Sequence, residues 1–317
     1  MTHKVFIDGA VGTTGLEIAE RLTGRAEFEL IVLDEARRKQ DAARAEALNA
    51  ADFVILCLPD DAAREAVAMI ANLHTRVIDA STAHRVAAGW TYGFPEITGR
   101  DAVAGALRVS NPGCYSTGFI ALLAPLVRAG LLPADWPYTC NAVSGYSGGG
   151  KALIARFEAD GDIAWRGYAL NLGHKHVPEM QALSGLAHAP LFTPAVIPAH
   201  RGMVVEIPLP LGAMAGMGPG KGPGMGSTDA FRAALTEFYA GSPVVSVSQE
   251  PPADGELLLR ASMEPWDGLE LHVLASADGS QARLVAGLDN LGKGASGAAV
   301  QSLNLMAGLD ETAGLRL

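Results

Sequence analysis

The chain has 317 residues, 49% hydrophobic and 18% charged, which is enough apolar material for two domains of ordinary size. Its net charge of −10 argues against nucleic acid as a partner, because a phosphate backbone selects basic stripes. The longest apolar run, Gly118 to Leu132, is short and carries Arg128, so nothing reads as a membrane span or membrane partner. The start, Met1-Thr2-His3-Lys4, lacks a signal-peptide pattern, and three cysteines cannot all pair. A cytoplasmic, reducing setting is the simplest expectation.

Val5-Phe6-Ile7-Asp8 reads as a strand running straight into Gly9-Ala10-Val11-Gly12-Thr13-Thr14-Gly15. An amphipathic helix follows, with Leu16, Ile18, Ala19 and Leu22 on its inner face. Leu30 to Leu33, Phe53 to Leu58 and Val77 to Asp79 are further apolar runs, with helical stretches between them. This alternation predicts a doubly wound α/β domain: a parallel sheet with helices on both faces. In the first turn Gly9 permits the tight exit from the strand, Gly12 lets backbone approach a pyrophosphate, and Gly15 lets the helix pack closely. The helix N-terminus then faces the phosphates. The spacing is Gly-x-x-Gly-x-x-Gly, and its place between strand and helix makes it a dinucleotide turn. Asp34 stands where a carboxylate takes the ribose 2′-hydroxyl of NAD, whereas Arg37, Arg38 and Lys39 just beyond suit the 2′-phosphate of NADP. NADP(H) is the preferred cofactor.

Cys114 lies in Ser110-Asn111-Pro112-Gly113-Cys114-Tyr115-Ser116-Thr117-Gly118, where a short strand turns into a helix. Phe119, Ile120, Leu122, Leu123, Leu126 and Val127 recur at three and four, giving that helix one apolar face. At a helix start the backbone N–H groups and the dipole favour a thiolate. The competing reading is a structural cysteine at a tight turn. Cys57 and Cys140 both lie in apolar strand-like contexts.

Beyond Cys114 the alternation stops. Tyr138 to Val143, Ala195 to Ile197, Met203 to Ile207, Leu257 to Leu259 and Leu269 to Leu274 read as strands of an open antiparallel or mixed sheet. That α+β domain would carry substrate groups and a dimer face. Residues 212–226 are too rich in Gly and Pro for regular structure and read as a surface loop without chemistry. Asn171 to Glu179 offers His174 and His176 beside Lys175; a general acid or base suits this pair better than a metal site, for which no further ligands lie close in sequence. Leu288 to Gly297 opens a last helix with apolar Ala299, Val300, Leu303 and Met306, which can return to the first domain. The expected domains are therefore 1–113, completed by 290–317, and 114–289.

Taken in order, several segments resemble the N-acetyl-gamma-glutamyl-phosphate reductase family, short type, over nearly the whole chain. They are Gly9 to Gly15, Asp79-Ala-Ser-Thr-Ala-His-Arg85, Phe94-Pro-Glu96, Ser110 to Tyr115, Ser144-Gly-Tyr-Ser-Gly-Gly-Gly-Lys151, His174 to Glu179, Pro198-Ala-His-Arg-Gly202 and Asp289-Asn-Leu-Gly-Lys-Gly-Ala295. The resemblance implies a semialdehyde dehydrogenase-like architecture, a homo-oligomer (dimer or tetramer), and NADPH-dependent reduction of a small acyl phosphate through a Cys114 thioester, with His174 as acid/base. It further implies cofactor contacts from Gly9, Gly12, Thr13, Thr14, Gly15, Arg37, Ser81, Asn290, Lys293 and Gly294. Substrate contacts would come from Arg85, Asn111, Ser144, Lys151, Tyr168 and Arg201. His176 and His200 remain alternative bases. Reductases of aspartyl phosphate or of a protein-borne aminoadipate derivative share the turn and the cysteine, and a non-catalytic dinucleotide sensor would leave Cys114 structural.

Overall fold

The first strands alternate their side chains between two covered faces. β1 (His3–Asp8), β2 (Phe28–Ile31), β3 (Phe53–Leu56), β4 (Arg76–Asp79), β5 (Thr91–Tyr92) and β6 (Arg108–Ser110) form one sheet in the order β2-β1-β3-β4-β6-β5. Every pairing in it is parallel. Between the strands run α1 (Thr13–Leu22), α2 (Asp41–Ala50), α3 (Asp60–Ala68), α4 (Pro95–Thr98) and α5 (Arg100–Gly105). Val5, Ile7, Ile55 and Ile78 pack with Ile18 and Leu22 of α1 and Val103 of α5, joined by Ala299, Val300 and Leu303 near the C-terminus. Phe6, Val54, Leu56 and Val77 point the other way, against Ala47 and Leu48 of α2 and Ala63 and Ala66 of α3. Burial on both faces is why these strands read as unbroken apolar runs.

The computed structural model describes residues 2–214 and 227–317. Its contacts divide the chain into two units: Met1–Gly113 with Ala295–Arg316, and Cys114–Gly294 with Leu317.

In the second unit α6 (Cys114–Arg128) is followed by β7 (Thr139–Gly145), α7 (Gly150–Ala159), β8 (Arg166–Gly167), α8 (Val177–Ser184), β9 (Leu191–Ile197), β10 (Met203–Leu209), α9 (Leu211–Met214) and α10 (Thr228–Phe238). β11 (Val245–Val247), β12 (Leu269–Ala275) and β13 (Ala282–Leu288) complete a mixed sheet ordered β11-β12-β13-β10-β7-β9-β8. The chain then enters a π-helical turn, Gly292–Ser296, and α11 (Gly297–Met306) closes the first unit's core. Along β10 the residues Met203, Val205, Ile207 and Leu209 are buried and alternate with partly exposed neighbours. A Cβ at Gly118 of α6 would stand 2.9 Å from Val205, so that glycine sets how closely the helix lies on the sheet.

Several expectations need correction. Leu16 is 52% exposed, not on the inner face of α1, whose contact stripe runs through Gly15, Ile18 and Leu22. The second strand is Phe28–Ile31 rather than Leu30 to Leu33: as an edge strand it takes its register from β1, with His3 opposite Phe28, which leaves Val32 79% exposed. α6 has no single apolar face; it is buried on all sides from Tyr115 to Leu126, between the sheet and the helices α8 and α10. Leu257 to Leu259 form no strand. With Met263 and Trp266 they line a cavity of about 330 Å³ against β10, β12 and β13. Gly212 to Met214 belong to the short helix α9, and 215–226 lie outside the described residues.

Candidate active site

In the first unit the turn after β1 is built on glycine. Gly9 has φ +89°, and a Cβ there would stand 2.3 Å from the Cys57 carbonyl; at Gly15 it would stand 2.5 Å from the Gly9 carbonyl. Gly12 caps α1 with no side-chain hydrogen bond, which leaves the helix N-terminus bare of competing groups. Thr13 and Thr14 are the first residues of α1, and Thr13 Oγ1 is buried with no partner. Beside the turn, at the C-terminal ends of β1 and β2, a cavity of about 460 Å³ is lined by Gly9, Ala10, Leu30, Arg38, Lys39 and Arg44, among others. Arg44 is held by the buried Asp8 carboxylate at 2.9 Å.

The charged cluster sorts itself. Arg37 does not line this cavity; its guanidinium pairs with Glu46 at 2.9 Å. Its N–H donates to Asp34 Oδ1 at 2.8 Å, so one oxygen of that carboxylate closes its own turn. Arg38 bonds Glu35 at 3.0 Å, while its Nε is buried with no partner.

Farther along the first unit, Asp79 is fully buried and accepts from Ser81 Oγ at 2.7 Å and the Ser81 N–H at 2.9 Å. His84 Nδ1 lies 2.6 Å from the same carboxylate, with its ring stacked on Trp90. Arg85 donates from Nε to the Asn111 carbonyl at 3.1 Å. Asn111 Nδ2 donates to the Ala295 carbonyl at 2.9 Å, which leaves Oδ1 buried with no partner.

In the second unit Cys114 is the first residue of the 15-residue α6, at the positive end of its dipole. None of the three cysteines is in a disulfide. Gly294 lies against Cys114: a Cβ there would stand 2.9 Å from the Cys114 Cβ. Ser116 Oγ donates to the His176 carbonyl at 3.4 Å, tying the helix start to the histidine segment. There Tyr168 Oη and His174 Nε2 are 3.2 Å apart, and the His176 N–H donates to His174 Nδ1 at 3.1 Å. The Tyr115 hydroxyl donates to the Ala195 carbonyl at 2.9 Å, with the Tyr168 and Ser144 hydroxyls as further hydrogen-bonding neighbours. Burial pushes the Tyr168 phenol up to about 12; negative charge on Cys114 adds to this, while the Tyr115 hydrogen bond and Arg166 oppose it. Burial likewise raises Tyr115, again with a contribution from Cys114. Cys114 is thus within electrostatic reach of both phenols. Both stay protonated at neutral pH.

Arg201, 8% exposed, pairs with the fully buried Asp289 at 2.8 Å. Asn290 Nδ2 donates to Ser147 Oγ at 2.9 Å, and its Oδ1 is buried with no partner. Lys293 is buried inside the π-helical turn. Lys151 is exposed in the first turn of α7, and the His200 ring packs on Tyr146. Tyr115 and Asp289 lie within the resemblance motifs with no role implied there; their partners, Ala195 and Arg201, are remote in the chain.

Residues 4–106 match the family described as semialdehyde dehydrogenase, NAD binding domain, and residues 114–290 match semialdehyde dehydrogenase, dimerisation domain. Among curated proteins the chain is similar to N-acetyl-gamma-glutamyl-phosphate reductases. It is 46% identical to that of Trichormus variabilis (98% of this chain, 99% of the relative) and 48% identical to that of Mesorhizobium japonicum (98% and 100%). To that of Burkholderia orbicola it is 50% identical (96% and 97%). Among solved structures it is similar in fold to aspartate semialdehyde dehydrogenase II of Vibrio cholerae, with TM-score 0.69 and 16% identity over 97% of this chain and 99% of that one. It is similar also to aspartate semialdehyde dehydrogenase with NADP of Candida albicans, with TM-score 0.64 and 15% identity over 96% and 98%. Among the described residues no helix is long and apolar enough to cross a membrane.

Proposed function

The chain belongs to the N-acetyl-gamma-glutamyl-phosphate reductase family, and on that premise we propose that Cys114 is the nucleophile of its reaction and His174 the proton donor. The reaction converts N-acetyl-gamma-glutamyl phosphate to N-acetylglutamate 5-semialdehyde and phosphate, a step of arginine biosynthesis. The observation that carries the assignment is a thiol at the head of a long helix whose charge reaches the Tyr168–His174 pair.

The Cys114 thiolate attacks the acyl carbon, the bond from that carbon to the phosphate oxygen breaks, and a thioester remains on Sγ. NADP(H), when bound, supplies the hydride that reduces the thioester. His174 protonates the oxygen of the resulting thiohemiacetal and takes the proton back as the C–S bond breaks and the thiolate returns. The backbone N–H groups that open α6 stabilise negative charge on the carbonyl oxygen. Arg85, Asn111, Ser144, Lys151, Tyr168 and Arg201 are the proposed ligands of the phosphate and carboxylate groups, with Arg201 oriented by Asp289.

The residues present suit a dinucleotide. The glycine turn leaves a bare helix N-terminus for the pyrophosphate, with Thr13 and Thr14 on its first turn. Three buried acceptor atoms, Thr13 Oγ1, Asn111 Oδ1 and Asn290 Oδ1, lack protein partners, as groups awaiting a ligand do. Arg38 and Lys39, rather than Arg37, would hold the 2′-phosphate, since they line the cavity and Arg38 Nε is unsatisfied. Ser81, fixed by Asp79, and the Asn290–Lys293–Gly294 turn are the remaining proposed cofactor contacts. The units 1–113 with 295–316 and 114–294 would serve as dinucleotide-binding and catalytic domains, and the dimerisation-domain match supports a homo-oligomer, dimer or tetramer. Three cysteines outside any disulfide accord with a cytoplasmic setting.

Turnover of N-acetylglutamate 5-semialdehyde with inorganic phosphate and NADP+ tests this reading. Activity with that semialdehyde above aspartate semialdehyde supports it; the reverse preference overturns it.

A further inference from the structure

The carboxylate expected to meet the adenosine ribose is not the one the cavity beside the glycine turn contains. Asp34, just beyond β2, is exposed, closes its own turn through the Arg37 N–H and does not line that cavity of about 460 Å³. Asp8 does line it. As the last residue of β1, Asp8 directly precedes Gly9 and the turn proposed for the pyrophosphate, and it is 6% exposed. Arg44 of α2 donates to Asp8 Oδ2 from Nε at 3.2 Å and from Nη2 at 2.9 Å. Both bonds land on one oxygen, so Asp8 Oδ1 has no donor among the described residues. A third N–H of Arg44 reaches the exposed Asp41 at 3.5 Å, which leaves two of the five unspent among the described residues. Arg38, Lys39 and Arg44 set three cations around the cavity against this single carboxylate.

We propose that the Asp8–Arg44 pair is the receptor for the adenosine ribose and its 2′-phosphate, and that this pair, not Asp34, sets the preference for NADP(H) over NAD(H). The proposal rests on the reading of the glycine turn as a dinucleotide site. Arg44 donates to the 2′-phosphate from the N–H groups that Asp8 leaves over, beside Arg38 and Lys39. Asp8 Oδ1 accepts from the ribose 3′-hydroxyl. The pairing resolves an electrostatic conflict. A buried carboxylate alone would repel a phosphate, which carries about −1.5 to −2 charge. Arg44 neutralises that carboxylate, and three cations against one carboxylate then suit a dianion. NAD, with a hydroxyl in place of the phosphate, gives those cations nothing to neutralise. A buried ion pair gains little stability over apolar side chains of like volume. What this one supplies is orientation: with Nε and Nη2 both on one oxygen, the guanidinium plane is fixed, as forked recognition of a phosphate requires.

The test is calorimetric binding of adenosine 2′,5′-bisphosphate and of AMP to the whole enzyme, two fragments that differ only in the 2′-phosphate. The wild type should bind the bisphosphate more tightly by about tenfold or more. Asp8→Asn combined with Arg44→Gln replaces the ion pair by neutral amides of like size. Bisphosphate affinity should then fall about ten- to a hundredfold, the worth of hydrogen bonds to a charged group, and AMP affinity less than about threefold. The NADP+ to NAD+ ratio of kcat/KM should drop by the same factor as the ratio of fragment affinities. Should the double variant not fold, Arg44→Lys keeps the charge without the fork and should weaken the bisphosphate several-fold while sparing AMP. Asp34→Asn should leave the fragment ratio as in the wild type. The proposal alone is overturned by equal wild-type affinities, by a wild-type ratio in the Arg44 variants, or by a ratio lost in Asp34→Asn. An enzyme that binds neither fragment nor NADPH overturns the dinucleotide reading with it. Fragment binding is measured without turnover, so it does not depend on the Cys114 thioester.

Discussion

Gly294 and Cys114 touch backbone to side chain: a methyl group at 294 would stand 2.9 Å from the Cys114 Cβ and 3.0 Å from the Asp289 carbonyl. No real Cβ sits that close, so the turn after β13 leaves its glycine no substitute without moving the nucleophile. Gly294→Ala should therefore act on Cys114 first. Overpacking of this kind costs about 1–3 kcal/mol. Enzyme that still folds should show kcat reduced ten- to a hundredfold and a changed rate of Cys114 alkylation. Unchanged values of both would show that the backbone yields instead.

Iodoacetamide should find one thiol per chain. Burial, with the charges of Asp79 and Asp8 behind it, pushes Cys57 up from 9.0 to about 12, and burial raises Cys140 as well. At pH 8 the thiolate fraction of Cys57 is on the order of 10⁻⁴, so only Cys114 should label in the folded protein. Peptide mapping after a short exposure gives the answer. The same shift carries a stability prediction. A thiol with a raised folded pKa holds its proton longer in the native state, so stability is whole below about pH 9 and falls as pH climbs through about 12. Denaturant midpoints at pH 8 and pH 11 check the sign.

How far the sequence discloses this molecule depends on the range of the interactions. The parallel sheet and its glycine turn are legible because β1, β3 and β4 are buried on both faces, Gly9 carries a positive φ at the strand exit, and Gly15 meets backbone of the same turn. The edge strand β2 slips by two residues because its register comes from β1, not from its own hydropathy. Leu257 to Leu259 mislead because an apolar triplet can lie across a sheet as well as within one. β13, an interior strand of the second sheet, escapes notice because Ala282, Ala286 and Gly287 dilute its pattern. At the site, the proposed nucleophile and proton donor, Cys114 and His174, stand in motifs that the sequence displays. The anchoring of Tyr115 is not legible, since its hydroxyl donates to a carbonyl eighty residues away. The proposed choice of Arg38 and Lys39 over Arg37 is equally hidden, because it turns on the pairing of Arg37 with Glu46 of α2.

Asp289→Asn isolates the buried pair with Arg201. Removing the charge from the fully buried Asp289 carboxylate breaks its ion pair with Arg201, and breaking buried pairs costs about 3–5 kcal/mol. The melting temperature should drop by several degrees and KM for the acyl substrate should rise more than kcat falls. A stable variant with wild-type KM would remove Arg201 from the proposed substrate site.

His174→Asn should lower turnover by about two to four powers of ten, the usual contribution of a placed acid or base. Binding of NADPH, followed by its fluorescence, should be unaffected, because His174 is not among the proposed cofactor contacts. A loss smaller than tenfold would pass the proton-moving role to His176 or His200.

The thioester itself is the most direct test. Enzyme mixed with N-acetyl-gamma-glutamyl phosphate in the absence of NADPH, then quenched in acid, should gain the mass of one N-acetylglutamyl group per chain, mapped to Cys114 and absent from Cys114→Ser. Intact, unmodified Cys114 under conditions where added NADPH gives full turnover would contradict the account.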